Sequence, residues 1–240
     1  MARTIFFAGG DSYPADRPAE TLLRQALEGP DSAFLTHGEV FTSATGTAGP
    51  GKIDQKAKVL EQAIRNRGAQ EIFLIGRSAG ARAMTLAAQR CKVTAIVCVF
   101  YPFRQPQRQL EPKRFAHLRT LDTPTLLLQG VDDEYGGAGI TENYQLSESI
   151  RLKLVAGHHR TKLAEPEGAD IAPLIVDFTE RGWRETGREL EGFDEAFYLG
   201  TYPDVAEVIG KGLYASGEDH FRKVGRKECR MYRVRYEGGL

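Results

Sequence analysis

Apolar residues in this chain fall into short unbroken runs separated by stretches of helical spacing. The runs "TIFFA" (4–8), "EIFLIG" (71–76), "VTAIVCVF" (93–100), "TPTLLLQG" (123–130) and "SIRLKLVAG" (149–157) predict strands. Between them, apolar positions recur three and four apart over 19–28 (Leu22, Leu23, Ala26, Leu27), 54–67, 81–90 and 168–181 (Ile171, Leu174, Ile175, Phe178), which predicts helices. "SAFLTHGEVF" predicts a further strand, and "TSATGTAGPGK" a loop of small residues. Strands alternating with helices imply an α/β fold, a mostly parallel twisted sheet covered on both faces. Strands buried on both faces carry continuous apolar runs rather than alternation, as here.

That fold class directs attention to the carboxyl ends of the strands, where such sheets bind their ligands. The residues placed there are Gly9-Gly10-Asp11, Gly76-Arg77-Ser78-Ala79-Gly80, the segment from Tyr101 to Arg104, Asp132-Asp133, and His158-His159.

Composition narrows the picture by exclusion. The chain has 240 residues, 41% hydrophobic and 27% charged, with 32 basic and 32 acidic side chains. A zero net charge gives no global attraction to nucleic acid or an anionic membrane. No window approaches the roughly 18 apolar residues of a membrane span, and the N-terminal run is too short for a secretory core of about 7–15 apolar residues. Three cysteines (Cys91, Cys98, Cys229) without metal-type spacing fit a reduced, cytoplasmic setting. "GTAGPGK" (46–52) formally matches a phosphate loop, but Ile53 stands where the magnesium-binding Ser or Thr belongs. No cofactor and no metal is expected, although adjacent histidines plus an aspartate would suit zinc by residue type.

The G-x-S-x-G stretch carries the strongest chemistry. A serine hydroxyl is a poor nucleophile until a base takes its proton and a third group holds that base. A sharp strand-to-helix turn exposes such a serine, and small neighbours let strand and helix pass closely. Gly76 and Gly80 supply that room around Ser78, whose bland alternative is a helix cap. Asp132 or Asp133 follows a later strand, and His158 or His159 the next, giving the order serine, acid, histidine at one sheet edge.

On these motifs residues 3–183 resemble the α/β-hydrolase superfamily, and more narrowly the small dienelactone-hydrolase-like enzymes. The resemblance places the acid of a G-x-x-D segment on Asp133 and the histidine of G-x-D-H on His159, with His158 in place of the usual acid. It implies an oxyanion hole from the backbone N–H of Ala79 and one from the Gly9-Gly10 turn, such donors being worth roughly 3–4 kcal/mol each. The reaction implied is ester or thioester hydrolysis through an acyl-enzyme on Ser78. "YPFRQPQRQLEPKRFAHLR" (101–119) is expected to form a short lid. Arg77, Arg104 and Arg108 are candidate contacts for an anionic substrate, the alternative being a solvated basic face, and Tyr101 is a further candidate substrate contact.

The expected organisation is a hydrolase domain over 1–183 and a small helical module over 190–240, joined by polar "RETGRELEG" from 184. Pro203-Asp204 starts a helix, Gly212 stops it, and Ser216 starts another. Phe193, Tyr198, Leu199, Tyr202, Pro203, Asp204, Val205, His220, Phe221, Gly225, Glu228 and Arg230 are similar to a module of bacterial multidomain proteins that accompanies glycosyltransferases and surface-polysaccharide proteins; Cys229 departs from it. From this the expected partners are a small-molecule or glycan ester, no nucleic acid, and a tail that docks a partner or its own hydrolase domain. The alternative is a non-catalytic hydrolase-fold scaffold in polysaccharide assembly.

Overall fold

A computed structural model describes residues 3–46, 51–67, 71–181, 193–225, 228, 230 and 232. In chain order the elements are β1 (Arg3–Ala8), α1 (Arg17–Leu27), β2 (Ser32–Leu35), α2 (His37–Thr45), α3 (Ile53–Arg65), β3 (Glu71–Arg77), α4 (Ala79–Ala88), β4 (Ala95–Val99), β5 (Thr125–Gly130), α5 (Ile140–Asn143), β6 (Ile150–Val155) and α6 (Ile171–Arg181). The six strands form one parallel sheet in the order β2-β1-β3-β4-β5-β6. Chain order reverses between β1 and β3, so their carboxyl ends flank the crevice in which open α/β sheets bind ligands.

The apolar runs bury both faces because successive side chains point to opposite sides. Phe6, Leu74, Cys98 and Leu127 meet Phe41 of α2, Leu60 of α3 and Met84 of α4 on one face. Phe7, Ile75, Val97 and Leu128 meet Leu23 of α1 and Ile175 and Phe178 of α6 on the other. Cys98 is core, and burial pushes its thiol well above the ordinary range. Among the described residues no helix is long and apolar enough to cross a membrane.

One element departs from expectation. "SAFLTHGEVF" is a strand only to Leu35; His37–Thr45 is a helix that takes in part of the expected small-residue loop. The cause is a capping box: the Glu39 N–H donates to Thr36 Oγ1 at 3.2 Å, and the Thr36 N–H donates to the Glu39 carboxylate at 2.8 Å. Val40 and Phe41 then pack on the sheet.

Beyond residue 192 lie α7 (Glu195–Thr201), α8 (Pro203–Gly210) and α9 (Gly217–His220), the last continued by a π-turn over Phe221–Gly225. Pro203 opens α8, Gly212 follows it at φ 75°, and Ser216 caps α9. Tyr198, Val205, Phe221 and Tyr232 form a separate small core, and the Tyr198 hydroxyl lies 3.1 Å from His220 Nδ1. Phe197 packs against the sheet's own core, and Phe221 and Tyr232 face Leu146 and Ile150 across a small cavity. The 184–192 linker and Cys229 lie outside the described residues.

Candidate active site

Ser78 stands between β3 and α4 with φ 52° and ψ −121°, a conformation that strains any residue with a Cβ. The Ser78 N–H donates to Val99 O at 2.9 Å, and Arg82 N–H to Ser78 O at 3.2 Å, which locks the turn from both sides. Gly76 and Gly80 are required sterically. A Cβ on Gly76 would lie 2.6 Å from Ala81 N, and one on Gly80 would lie 2.6 Å from Gly9 O and collide with the Ala8 carbonyl. Phe100, at the end of neighbouring β4, also has a positive φ of 51°.

Ser78 Oγ lies 2.8 Å from His159 Nε2. His159 Nδ1 lies 3.0 and 3.1 Å from the two carboxylate oxygens of Asp133. Asp133 is 2% exposed, and each of its oxygens accepts a further hydrogen bond: from Gln129 Nε2 at 2.7 Å and from Tyr135 N–H at 2.8 Å. Tyr135 also packs against the His159 ring at a tilt of 31°, with centroids 4.1 Å apart. Of the paired candidates, Asp132 and His158 are exposed; His158 accepts at Nδ1 from Arg160 N–H and shapes its own loop.

Gln129 was not singled out in the sequence. It is fully buried at the end of β5, and its Oε1 accepts from Tyr101 N–H at 2.9 Å, which turns its amide nitrogen toward Asp133. The available signal was one polar residue ending the apolar run "TLLLQG". Gln129→Leu strands the Tyr101 N–H and removes a donor from Asp133. We expect a loss of about 1–3 kcal/mol in urea unfolding and a fall in turnover larger than the change in KM.

Three candidate substrate contacts have other work. Arg77 is 8% exposed; its guanidinium pairs with Asp16 at 3.1 Å, donates to His159 O at 2.6 Å and lies over the Phe100 ring. It braces the loop after β1 against the loop after β6. Tyr101 is fully buried, and its hydroxyl donates to Arg114 O at 2.7 Å. Arg104 is exposed, donates to Glu134 O at 3.4 Å and does not line the cleft. Arg108 does line it, as do Pro102, Gln105 and Pro106, so the segment after β4 forms one wall.

The oxyanion donors also differ from expectation. Gly9 N–H donates to His37 Nδ1 at 3.1 Å, and Gly10 N–H to Asp16 Oδ2 at 2.7 Å. Both groups are committed to side chains because the loop after β1 folds back on Asp16. Gly10 instead provides space, since a Cβ there would lie 3.2 Å from Ser78 Cβ. Ala79 N–H, the first of α4, sits at a helix N-terminus where no intrahelical acceptor exists.

Ser78, Ala79 and His159 open into a cleft of about 910 Å³ at the β1/β3 switch. A strained serine, an imidazole and a buried carboxylate in hydrogen-bonded series define a hydrolytic class of site on an α/β sheet. The comparisons agree with the class. A family model described as an alpha/beta hydrolase domain matches residues 5–181, and the chain belongs to that family, among the hydrolases of the α/β superfamily. No curated protein matches the chain. A hydrolase from Oleispira antarctica is similar in structure at 14% identity and TM-score 0.55, covering 76% of this chain and 92% of its own. The esterase domain of a Rhodothermus marinus protein matches at 16% identity and TM-score 0.52, covering 75% and 87%. A monoacylglycerol lipase from Paleococcus ferrophilus matches at 14% identity and TM-score 0.50, covering 73% and 93%. At such identities the likeness is one of fold.

Proposed function

We propose that the protein is a serine hydrolase that cleaves an ester or thioester through an acyl-enzyme on Ser78. The observation that carries this reading is the series Ser78 Oγ, His159 Nε2 and Nδ1, Asp133, held at 2.8 and 3.0 Å on a strained elbow. Ser78 Oγ attacks the acyl carbon as His159 Nε2 takes its proton. Ala79 N–H donates to the oxygen that becomes negative. The tetrahedral intermediate collapses, His159 protonates the departing alcohol or thiol, and the acyl group stays on Ser78. Water then gives His159 a proton, attacks the acyl-enzyme and releases the acid, regenerating Ser78. Asp133 holds the ring in one orientation and stabilises its charged form.

The small-enzyme, dienelactone-hydrolase-like reading rests on the G-x-x-D and histidine segments. The tail's likeness to a module of surface-polysaccharide proteins adds an O-acylated sugar to the esters worth trying. A fluorophosphonate probe followed by peptide mass spectrometry tests the nucleophile. Label is expected on the peptide containing Ser78 in wild type and absent in Ser78→Ala. No label on folded wild type sinks the mechanism and leaves a hydrolase-fold scaffold.

A further inference from the structure

Seven basic and three acidic side chains line the cleft at Ser78. Two of the acids are already matched within it: Asp11 with Lys56 at 2.8 Å and Asp16 with Arg77 at 3.1 Å. Two of the bases are matched from outside it, Arg114 by Glu111 and Lys162 by Glu165. Among the described residues Arg82, Arg108 and Arg160 line the cleft and form no ion pair; Glu134 is the one acid lining it that is likewise unpaired, and the Asp54 and Glu111 carboxylates act on Arg82 from beyond the lining.

Arg82 stands out among these. It lies on α4, one helical turn beyond Ser78, about 6 Å along the axis. It is half-buried, its Nε has no hydrogen-bond partner, and one terminal nitrogen donates only to a backbone oxygen, Lys113 O, at 3.0 Å. Burial is the main cause that holds its pKa below the ordinary arginine value; the Arg114 guanidinium adds to it, while Tyr101 and the Asp54 and Glu111 carboxylates act the other way. A half-buried guanidinium with no carboxylate in ion-pair contact is stabilised when an anion reaches it directly. A guanidinium presents a fork of donors that fits a carboxylate or a phosphate.

We infer that the cleft takes an ester or thioester bearing a second, anionic group, a carboxylate or phosphate a few bonds from the scissile carbonyl, which Arg82 binds with Arg108 and Arg160 at the rim. This rests on the serine-hydrolase reading for the chemistry, but not for the binding. Of the expected contacts it keeps Arg108 and adds Arg82 and Arg160; Arg77 lines the same cleft but is paired with Asp16, and Tyr101 and Arg104 do not line it.

Two matched ester pairs test it. One carries the charge on the acyl side: the 4-nitrophenyl half-ester of succinate against 4-nitrophenyl butyrate. The other carries it on the alcohol side: 3-carboxyphenyl acetate against phenyl acetate. Each rate is normalised to alkaline hydrolysis. In at least one pair kcat/KM is expected to favour the anionic member by about tenfold or more, the scale of a charge-assisted hydrogen bond. The preference should shrink as salt rises, fall in Arg82→Gln and be largely kept in Arg82→Lys. A ratio near one in both pairs, or a ratio that Arg82→Gln leaves unchanged, overturns the subsite. Binding separates this from failure of the mechanism. On Ser78→Ala, which turns nothing over by this route, chemical-shift titration compares monomethyl succinate with methyl butyrate. Tighter binding of the anion, lost on adding Arg82→Gln, upholds the subsite even if wild type hydrolyses no ester; equal binding of the two sinks it.

Discussion

Asp133→Asn is expected to lower ester turnover by about 10⁴-fold, the scale seen when the acid of such a triad becomes an amide. The local hydrogen bonding explains why the amide is poorly accepted. Both carboxylate oxygens face donors, Gln129 Nε2 on one and Tyr135 N–H on the other, while His159 Nδ1 lies within 3.1 Å of each. An amide has one acceptor atom and one donor atom. Whichever way it turns, its NH₂ meets an N–H group, or forces the imidazole into the tautomer that leaves Nε2 protonated. Gln129 cannot turn to relieve the conflict, because its own oxygen accepts from Tyr101 N–H. The substitution should therefore also cost about 1–3 kcal/mol of stability. Steady-state kinetics and urea unfolding on the same preparation separate the effects. Turnover within tenfold of wild type would remove Asp133 from the mechanism.

Gly80→Ala is the second large effect, and it acts on folding. The added methyl would lie 2.6 Å from Gly9 O and collide with the Ala8 carbonyl, both rigid backbone at the end of β1. Neither group can withdraw without breaking the β1–β3 pairing that ends at Ala8 and Gly76. A loss above about 4 kcal/mol is expected, in the range reserved for specific steric failures. For a chain of this length that is a fall of roughly 8–16 °C in Tm, or loss of soluble protein. Gly200→Ala is the control. Gly200 lies in α7 with nothing within 4 Å of the added carbon. The same methyl there should be neutral or stabilise by up to about 1 kcal/mol. Equal melting temperatures for the two variants would contradict the packing at the elbow.

The two substitutions mark what could be read from the sequence. Gly76, Ser78 and Gly80 form a local pattern, and its need for small residues follows from a strand and helix meeting at one turn. Asp133 and His159 were legible because each ends an apolar run, and parallel strands bring run ends to one edge. The helix over His37–Thr45 was legible too, through the Thr36-x-x-Glu39 signature, but the apolar residues beside it read as a strand.

What the sequence could not decide was where long side chains go once the strand ends converge. Arg77, Tyr101 and Arg104 stand at or just after strand ends on the right edge, yet Arg77 braces two loops, Tyr101 is core and Arg104 does not line the cleft. Arg82, hidden in an ordinary helical pattern, reaches the cleft instead. The Gly9-Gly10 turn keeps its glycines for space while its N–H groups are taken by His37 and Asp16, residues 28 and 6 positions away. Period and spacing determined the sheet, the elbow and the chain order of Ser78, Asp133 and His159 at one sheet edge, since these depend on local geometry and on which end of a strand a residue occupies. Only the tertiary structure decided which donors stay free and which cations stay unpaired, because a side chain's partner is set by distance in space between segments far apart in the chain.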